Sequence, residues 1–322
     1  MRPSVPKGSP AQRSHASQHE VISVKMVVFG SLNIDKVYSL EHFVCPGETV
    51  SAAGMEQFCG VKGFNQAIAL RRAGNEVFFA GAVGQDGSLL LDSLDRSGID
   101  RRFVKQTGNT TGHAIIQLDE KGQNCIIILA GANGEITLAD VAHTLAFFGP
   151  GDLIVLQNEI TCVPEIIRRA HEKGMVVAFN PSPFDGKIAS CDISCVDYLL
   201  VNETEGAAMA GAAEPDAILD AFHARYPHLN VVLTLGGSGA AYQDKGGHRF
   251  RCDAHKVQAV DTTAAGDTFT GDFLSEMLRH GDAARALHTA SVAAGLAVSR
   301  KGAEPSIPMM DEVAAVIELS AT

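Results

Sequence analysis

The stretch AVDTTAAGDTFTGDF, residues 259–273, decides how this chain of 322 residues is interpreted. An apolar segment leads into Asp261, a run of small residues follows, and Asp267 then opens a segment with helical periodicity. If a helix begins near residue 265, the backbone amides of residues 264–266 are unpaired first-turn donors that point to one spot. Such a helix start binds anions through its amides and its dipole, and small side chains let a bulky anion approach. The stretch therefore predicts an anion site beside an acidic side chain.

The composition is that of a globular protein, with 46% hydrophobic and 20% charged residues, 32 Gly and no Trp. This length and apolar content suffice for one large α/β domain or two smaller ones. The formal net charge of −11 argues against a general nucleic-acid or anionic-membrane surface, because either needs a basic excess. A small anionic ligand remains compatible with this charge, since a few local cations and amides suffice to bind it.

The seven cysteines are scattered, and their closest pair, Cys191 and Cys195, has no second pair to complete a zinc site. We therefore expect reduced thiols in a cytoplasmic protein. No apolar run reaches the roughly 18 residues of a membrane span. Residues 1–25 are polar and lack the apolar core of a signal peptide, so we interpret them as a disordered tail.

Apolar, β-branched runs alternate with helical periods along most of the chain. Strands are predicted for KMVVFGS (25–31), EVFFAGAVG (76–84), DLIVLQNE (152–159), MVVAFNPS (175–182) and VVLTLGGSG (231–239). Helices are predicted between them, for example at NQAIALRRAG (65–74) and VPEIIRRAHEKG (163–174). Continuous apolar strands that alternate with helices predict an α/β fold whose mostly parallel sheet is covered on both faces.

Two segments interrupt this alternation. Residues 36–58 look extended, and residues 103–130 contain DEKGQN (119–124), a hairpin turn between two apolar runs. We infer a small second sheet that stands off the main domain. It would cover a ligand site at the carboxyl ends of the parallel strands.

The role of Asp267 has two interpretations. In the first helical turn, beside a bound anion, its carboxylate could take a proton from an attacking hydroxyl as a general base in phosphoryl transfer. Alternatively, it merely complements the helix dipole. The sequence contains neither a P-loop motif nor an intact G-x-G-x-x-G, so a phosphate site would use residues 264–266 and LGGSG (235–239). That glycine stretch reads equally well as a plain hairpin.

Two polar clusters lie where predicted strands end. Asn33 and Asp35 are two residues apart, on one side of an extended segment, and Lys62 and Asn65 stand at a helix start. Carboxylate, amide and amine groups together suit a polyhydroxylated ligand, because the carboxylate accepts from adjacent hydroxyls. Turn and cap positions are the alternative interpretation of the Asn and Asp residues.

In this order and combination, the motifs resemble the PfkB family of carbohydrate kinases, and within it the ribokinase branch. The similarity covers Met26 to about Ser306 and comprises GSLNID, PGETV, KGFNQA, LAGAN, FNPSP, NETE, TLGGSG, DTTAAGDTF and SRKGAEPSIP. It implies one kinase domain over residues 26–322, with a three-layer α/β/α core. It also implies a discontinuous β-sheet lid from about 36–58 and 103–130.

The resemblance implies that the 5-hydroxyl of D-ribose is phosphorylated by ATP, with Asp267 as the catalytic base. The implied anion hole consists of the amides of Ala264, Ala265 and Gly266. The implied sugar contacts are Asn33, Asp35, Lys62, Gly63, Asn65, Glu159 and Asp267.

The same resemblance assigns the nucleotide and the metal ions. The implied ATP contacts are Asn202, Thr234, Gly236, Ser238, Gly239, Gly266 and Ser291. Asn202 and Glu205 match the Asn-x-x-Glu of the family, which organises Mg²⁺ and phosphates through water. A monovalent cation, usually K⁺, often activates the family, and its implied ligands are Asp261, Thr263, Ala297, Arg300, Gly302 and Ser306. The lid of the family commonly pairs with a second subunit, which implies a homodimer.

Three positions depart from the pattern of the family. Val61 replaces a glycine before Lys62, although a β-branched residue does not easily adopt a positive φ. Phe64 replaces a small residue, and Ser291 stands where an adenine-flanking Asn or His is frequent. These changes keep open a kinase for 2-deoxyribose, a fructose-like sugar or a nucleoside. A non-catalytic sugar-binding protein is the alternative from another class.

Overall fold

The computed structural model describes residues 24–320, so all but the last two residues of the predicted tail lie outside the described residues. The strands are β1 (Met26–Phe29), β2 (Asn33–Ser39), β3 (Gly54–Gly60), β4 (Val77–Val83), β5 (Asp100–Gln106), β6 (Gly112–Leu118), β7 (Asn124–Leu129), β8 (Leu153–Gln157), β9 (Val176–Asn180), β10 (Tyr198–Asn202), β11 (Asn230–Thr234), β12 (Ala240–Gln243) and β13 (Arg249–Cys252). The α-helices are α1 (Lys62–Arg72), α2 (Ser88–Arg96), α3 (Leu138–Leu145), α4 (Val163–Glu172), α5 (Glu203–Ala210), α6 (Pro215–Arg225), α7 (Ala265–His280), α8 (Ala283–Val298) and α9 (Met310–Ser320).

Nine strands form the large sheet, in the order β13-β12-β11-β10-β9-β8-β1-β4-β5. All neighbouring pairs from β11 to β5 are parallel, and the two pairs that involve β12 are antiparallel. The mostly parallel sheet predicted from the alternating pattern is confirmed. Because β8, β9, β10 and β11 are parallel, the loops that follow these four strands all open at the same edge of the sheet.

The two faces of the large sheet carry separate hydrophobic cores. Alternate residues of β1 point to opposite sides, so Val28 packs in one core while Val27 and Phe29 pack in the other. The first core contains side chains of α1, α2, α7 and α8, and the second contains those of α3, α4 and α6. This arrangement confirms the three-layer α/β/α architecture.

A separate sheet of four strands, in the order β3-β2-β6-β7, constitutes the small sheet. The hairpin turn predicted at residues 119–124 connects β6 and β7, which pair antiparallel. One boundary was wrong. Residues 103–106 belong to β5, which pairs with β4 in the large sheet, so the second segment of the small sheet begins at residue 112. An alternating pattern reveals a half-exposed strand without revealing the sheet in which it pairs.

Within residues 24–320, none of the helices combines the length and the apolar composition that crossing a lipid bilayer would require.

Candidate active site

Helix α7 begins at Ala265, as its sequence predicts, and the residue before it has an unusual conformation. Ala264 is left-handed, with φ 60° and ψ 4°, which turns the chain abruptly into the helix. Of the three predicted anion-hole amides, that of Ala265 donates to Thr262 O at 3.3 Å, so it is already engaged in a turn. The amides of Ala264 and Gly266 make no hydrogen bond with any described residue and remain available to a ligand.

Asp267 lies in the first turn of α7 and is 7% exposed. Its two carboxylate oxygens accept from different side chains of α1: Oδ2 from Asn65 Nδ2 at 3.2 Å and Oδ1 from Gln66 Nε2 at 2.9 Å. Two amide donors, one on each oxygen, fix the orientation of this buried side chain. Asp267 is thus held as an oriented carboxylate rather than left as an exposed helix charge.

The carboxyl ends of four adjacent strands each carry a polar residue: Gln157 on β8, Asn180 on β9, Asn202 on β10 and Thr234 on β11. Asn180, Asn202 and Thr234 line a small cavity of about 60 Å³ together with Lys62, Glu205, Gly266 and Asp267. The carboxylate of Asp267, the ammonium of Lys62 and several side-chain oxygen atoms therefore meet at one place at the sheet edge.

The predicted sugar residues near β2 form a partly buried polar group. Asn33 Oδ1 accepts from Asn133 Nδ2 at 2.6 Å, and the Asn133 side chain also bonds both backbone groups of Leu32. The Ser31 hydroxyl donates to Glu159 Oε2 in a short hydrogen bond.

Burial changes the acidity of two carboxyls in this group. It raises the pKa of Glu159 to about 7, although the Ser31 hydroxyl and the charge of Lys62 act in the opposite direction. It also raises the pKa of Asp35 to about 6. Carboxylates that are this poorly solvated gain from ligand hydroxyls that donate to them.

The loop before α1 lies very close to this group. A Cβ at Gly60 would overlap the carboxylate of Asp35, and one at Gly63 would come within 2.5 Å of Ser31 N. Val61 has φ 73° and ψ 161°, so the loop keeps a conformation that favours glycine even though valine occupies it. Phe64 is fully buried in the first hydrophobic core, which accommodates its bulk away from the polar group.

Asn202 and Glu205 form a capping box at the start of α5. Glu205 N donates to Asn202 Oδ1 at 2.9 Å, and Asn202 N donates to Glu205 Oε2 at 3.0 Å. The pair therefore has a structural role that its sequence pattern also fits. Glu205 is 7% exposed and lines the small cavity with Asp267, so its remaining carboxylate oxygen suits a hard cation bound through water.

A larger cleft of about 790 Å³ adjoins the small cavity. The predicted ATP residues Asn202, Thr234, Gly236, Gly239, Gly266 and Ser291 line it. Ser238 is exposed and lies outside this lining. Ser291 Oγ accepts from His255 N at 3.0 Å and donates to Asp253 O at 2.9 Å, so backbone groups occupy its hydroxyl.

The residues aligned with a monovalent cation lie before α7, in the last turn of α8 and in the segment that follows α8, and Asp261 joins the first of these regions to the last. Its Oδ1 accepts from the amide and hydroxyl of Thr263, and its Oδ2 accepts from Gly302 N at 3.0 Å. Burial opposes ionisation, but these hydrogen bonds outweigh it and lower the pKa of Asp261.

Ala297 O accepts from Arg300 N at 3.0 Å and Ser306 Oγ donates to Ala303 O at 2.7 Å. The Arg300 guanidinium donates to Glu312, so its backbone carbonyl is the group that could face a cation. Carbonyl, carboxylate and hydroxyl oxygens are a donor set that fits K⁺.

Comparison with known proteins decides the family. The model of the pfkB family carbohydrate kinases matches residues 24–310. The chain belongs to this family. It is accordingly a phosphotransferase whose acceptor is an alcohol group, and its ATP requires a divalent cation.

Relatives within the PfkB family match nearly the whole chain. A ribokinase of Schizosaccharomyces pombe is 36% identical over 311 residues, which cover 90% of this chain and 96% of the relative. A ribokinase of Haemophilus influenzae is 33% identical over 304 residues, with 91% and 98% covered. The structure of Arabidopsis thaliana ribokinase complexed with ribose and ATP superposes with a TM-score of 0.82 at 29% identity, covering 92% and 99%.

Sequence reasoning missed several residues of this PfkB-family site. Gln66 contacts Asp267 directly, Gln157 and Asn180 contact Gln66, and Asn133 holds Asn33. A signal was present at two of them, because LIVLQ and VVAFN each end an apolar strand with a buried amide. A buried amide needs partners, and a sequence does not say which ones.

Proposed function

We propose that this protein is an ATP-dependent kinase that converts D-ribose to D-ribose 5-phosphate. The observation that carries the proposal is the position of Asp267. Its buried carboxylate stands at the α7 start, next to the free amides of Ala264 and Gly266 and beside the small cavity. The relatives named ribokinase over nine-tenths of the chain support ribose as the acceptor.

In the proposed reaction, Asp267 accepts the proton of the sugar 5-hydroxyl. The hydroxyl oxygen then forms a bond to the γ-phosphorus of ATP, while the bond from that phosphorus to the β–γ bridging oxygen breaks and ADP leaves. The amides of Ala264 and Gly266 and the ammonium of Lys62 stabilise the charge on the transferring group. The turn bond of Ala265 N opens if the phosphoryl group takes up this third amide.

The sugar is proposed to bind Asn33, Asp35, Lys62, Gly63, Asn65 and Glu159, and the nucleotide to occupy the large cleft. Ser238 and Ser291 would contribute to the cleft through shape and backbone, since Ser238 is exposed and the Ser291 hydroxyl is engaged. Asn202 and Glu205 would hold Mg²⁺ through water. When bound, this ion neutralises phosphate charge.

We further propose activation by K⁺ near Asp261 and Gly302. The Asp261 carboxylate accepts from Thr263 N and from Gly302 N, and so holds the oxygen atoms of both segments close together. The ion would stiffen the turn that presents the α7 amides. Homodimerisation through the small sheet is part of the same proposal, as is a cytoplasmic location, which suits seven free thiols.

The test is coupled ADP release with ATP and Mg²⁺ on ribose, 2-deoxyribose, fructose and adenosine, each with and without K⁺. We expect ribose to have the highest kcat/KM, K⁺ to stimulate it, and Asp267→Asn to lower kcat by about 10²- to 10⁴-fold because the proton acceptor is lost.

A better substrate than ribose would leave the mechanism intact and move the specificity. Full activity of Asp267→Asn would contradict the assigned base. Absence of turnover on every sugar would revive a non-catalytic sugar-binding protein.

A further inference from the structure

The side chain of Gln66 on α1 is buried and all of its hydrogen-bonding groups have partners. Its Nε2 donates to Asp267 Oδ1 at 2.9 Å and to Asn180 Oδ1 at 3.2 Å, and its Oε1 accepts from Gln157 Nε2 at 2.6 Å. Gln66 and Gln157 are 0% and 1% exposed. Side chains from α1, α7, β8 and β9 therefore meet in one amide network around the acid.

The directions of the hydrogen bonds through Gln66 and Gln157 follow from Asp267. An ionised carboxylate only accepts, so Gln66 must turn its NH₂ group toward it. Its carbonyl oxygen then faces Gln157, which must in turn present its own NH₂ group. Asn180 is fixed independently, because its Nδ2 donates to Leu200 O at 2.8 Å and its Oδ1 faces Gln66.

The network leaves one buried group without a partner, at the end farthest from Asp267. Gln157 Oε1 is buried and has no hydrogen-bond partner among the described residues. A network selected only for stability would satisfy this oxygen, since a buried acceptor without a partner destabilises the folded state. The orientation that serves Asp267 is maintained at the expense of Gln157.

We propose that Gln66 is a positioning residue for phosphoryl transfer, and that Gln157 acts through it by locking the orientation of its amide. Gln66 holds Asp267 Oδ1 with a donor, which fixes the plane of the carboxylate and keeps it ready to accept the proton of the sugar hydroxyl. This inference rests on the proposed function, in which Asp267 is the base.

The test compares Gln66→Met with Gln243→Met. Methionine has a similar length and lacks both amide donors. Gln243 is a matched control: it is 1% exposed, donates to Leu219 O at 3.2 Å and accepts from Arg249 Nε at 2.7 Å, away from the site. The kcat and the ribose KM are measured at saturating Mg·ATP, and thermal melts report stability.

For Gln66→Met we expect kcat to fall about 10- to 100-fold, with the ribose KM changed less than about threefold. The ribose KM should change little because Gln66 orients the base and is not among the proposed sugar contacts. Gln243→Met should leave kcat and the ribose KM unchanged.

Gln157→Met is a second variant that tests the same inference if Gln66→Met does not fold. It should also lower kcat with little change in KM, but by less, because Gln66 keeps its donor to Asp267 and loses only the partner that orients its amide. An unchanged kcat in both variants, with wild type active and Asp267→Asn inactive, would overturn this inference alone. An inactive wild type, or an active Asp267→Asn, would instead refute the proposed function and this inference with it.

Discussion

Val61 adopts φ 73° and ψ 161°, a conformation that β-branched residues rarely take. The neighbouring glycines explain why the loop does not relax. Gly60 packs against the Asp35 carboxylate and Gly63 against Ser31, so the backbone on both sides of Val61 is pinned. Strain of this kind costs about 1–3 kcal/mol and persists only when the surroundings impose it.

Val61→Gly should therefore stabilise the protein. Relief of strain exceeds the roughly 0.5–1 kcal/mol that the flexibility of glycine costs in the unfolded chain, so the net gain is about 1 kcal/mol. The measurement is the free energy of unfolding from urea titration. Val61→Ala is the matched control, because alanine loses the bulk of valine but keeps the positive φ. Equal stabilisation by both variants would attribute the effect to bulk and not to backbone strain.

Local sequence patterns predicted where several residues of this candidate site lie, and the limits of such patterns are physical. Asp267, Asn33 and Lys62 could be predicted because each lies in a local pattern, namely a helix start or a strand end. Gln66 could not be predicted as a partner of Asp267, since 201 residues separate them and the contact depends on how α1 packs against α7. Which face of a helix meets which neighbour is a property of the whole fold.

At the scale of elements, the Asn202–Glu205 pair has two separable roles. It caps α5, and the resemblance to the PfkB family also assigns it to Mg²⁺. A capping box accepts glutamine in place of glutamate, because the N-cap amide needs only an acceptor. The charge of Glu205 is therefore unnecessary for the cap but necessary for the cation.

Glu205→Gln should preserve thermal stability while raising the Mg²⁺ concentration needed for half-maximal activity by about tenfold, because one charge is lost. Glu205→Ala should show the same Mg²⁺ effect and also lose about 1 kcal/mol of stability, because the cap is broken. Mg²⁺ titrations of activity and urea unfolding separate the two roles. Unchanged Mg²⁺ dependence in both variants would mean that Asn202 and Glu205 serve only as a helix cap.

At the scale of the whole molecule, the small sheet exposes an apolar edge. In strand β7, Ile127 and Ile128 are 59% and 64% exposed, and no strand among residues 24–320 pairs with its outer edge. Exposed apolar edges of this kind promote association unless they are covered. A second copy of the chain would cover this edge.

Ile127→Glu should consequently dissociate the proposed homodimer, because two copies would bury like charges in an apolar contact. We expect its dimer Kd to rise at least about tenfold in sedimentation velocity. Leu138→Glu is the matched control, since Leu138 is 51% exposed at the start of α3, outside the small sheet, where an acid suits the helix dipole. A wild type that is monomeric at every concentration would refute the proposed homodimer, whereas equal dissociation of both variants would place its contact elsewhere. Selective loss of the dimer in Ile127→Glu, in contrast, would mean that the sheet beside the sugar residues is completed by a neighbouring subunit.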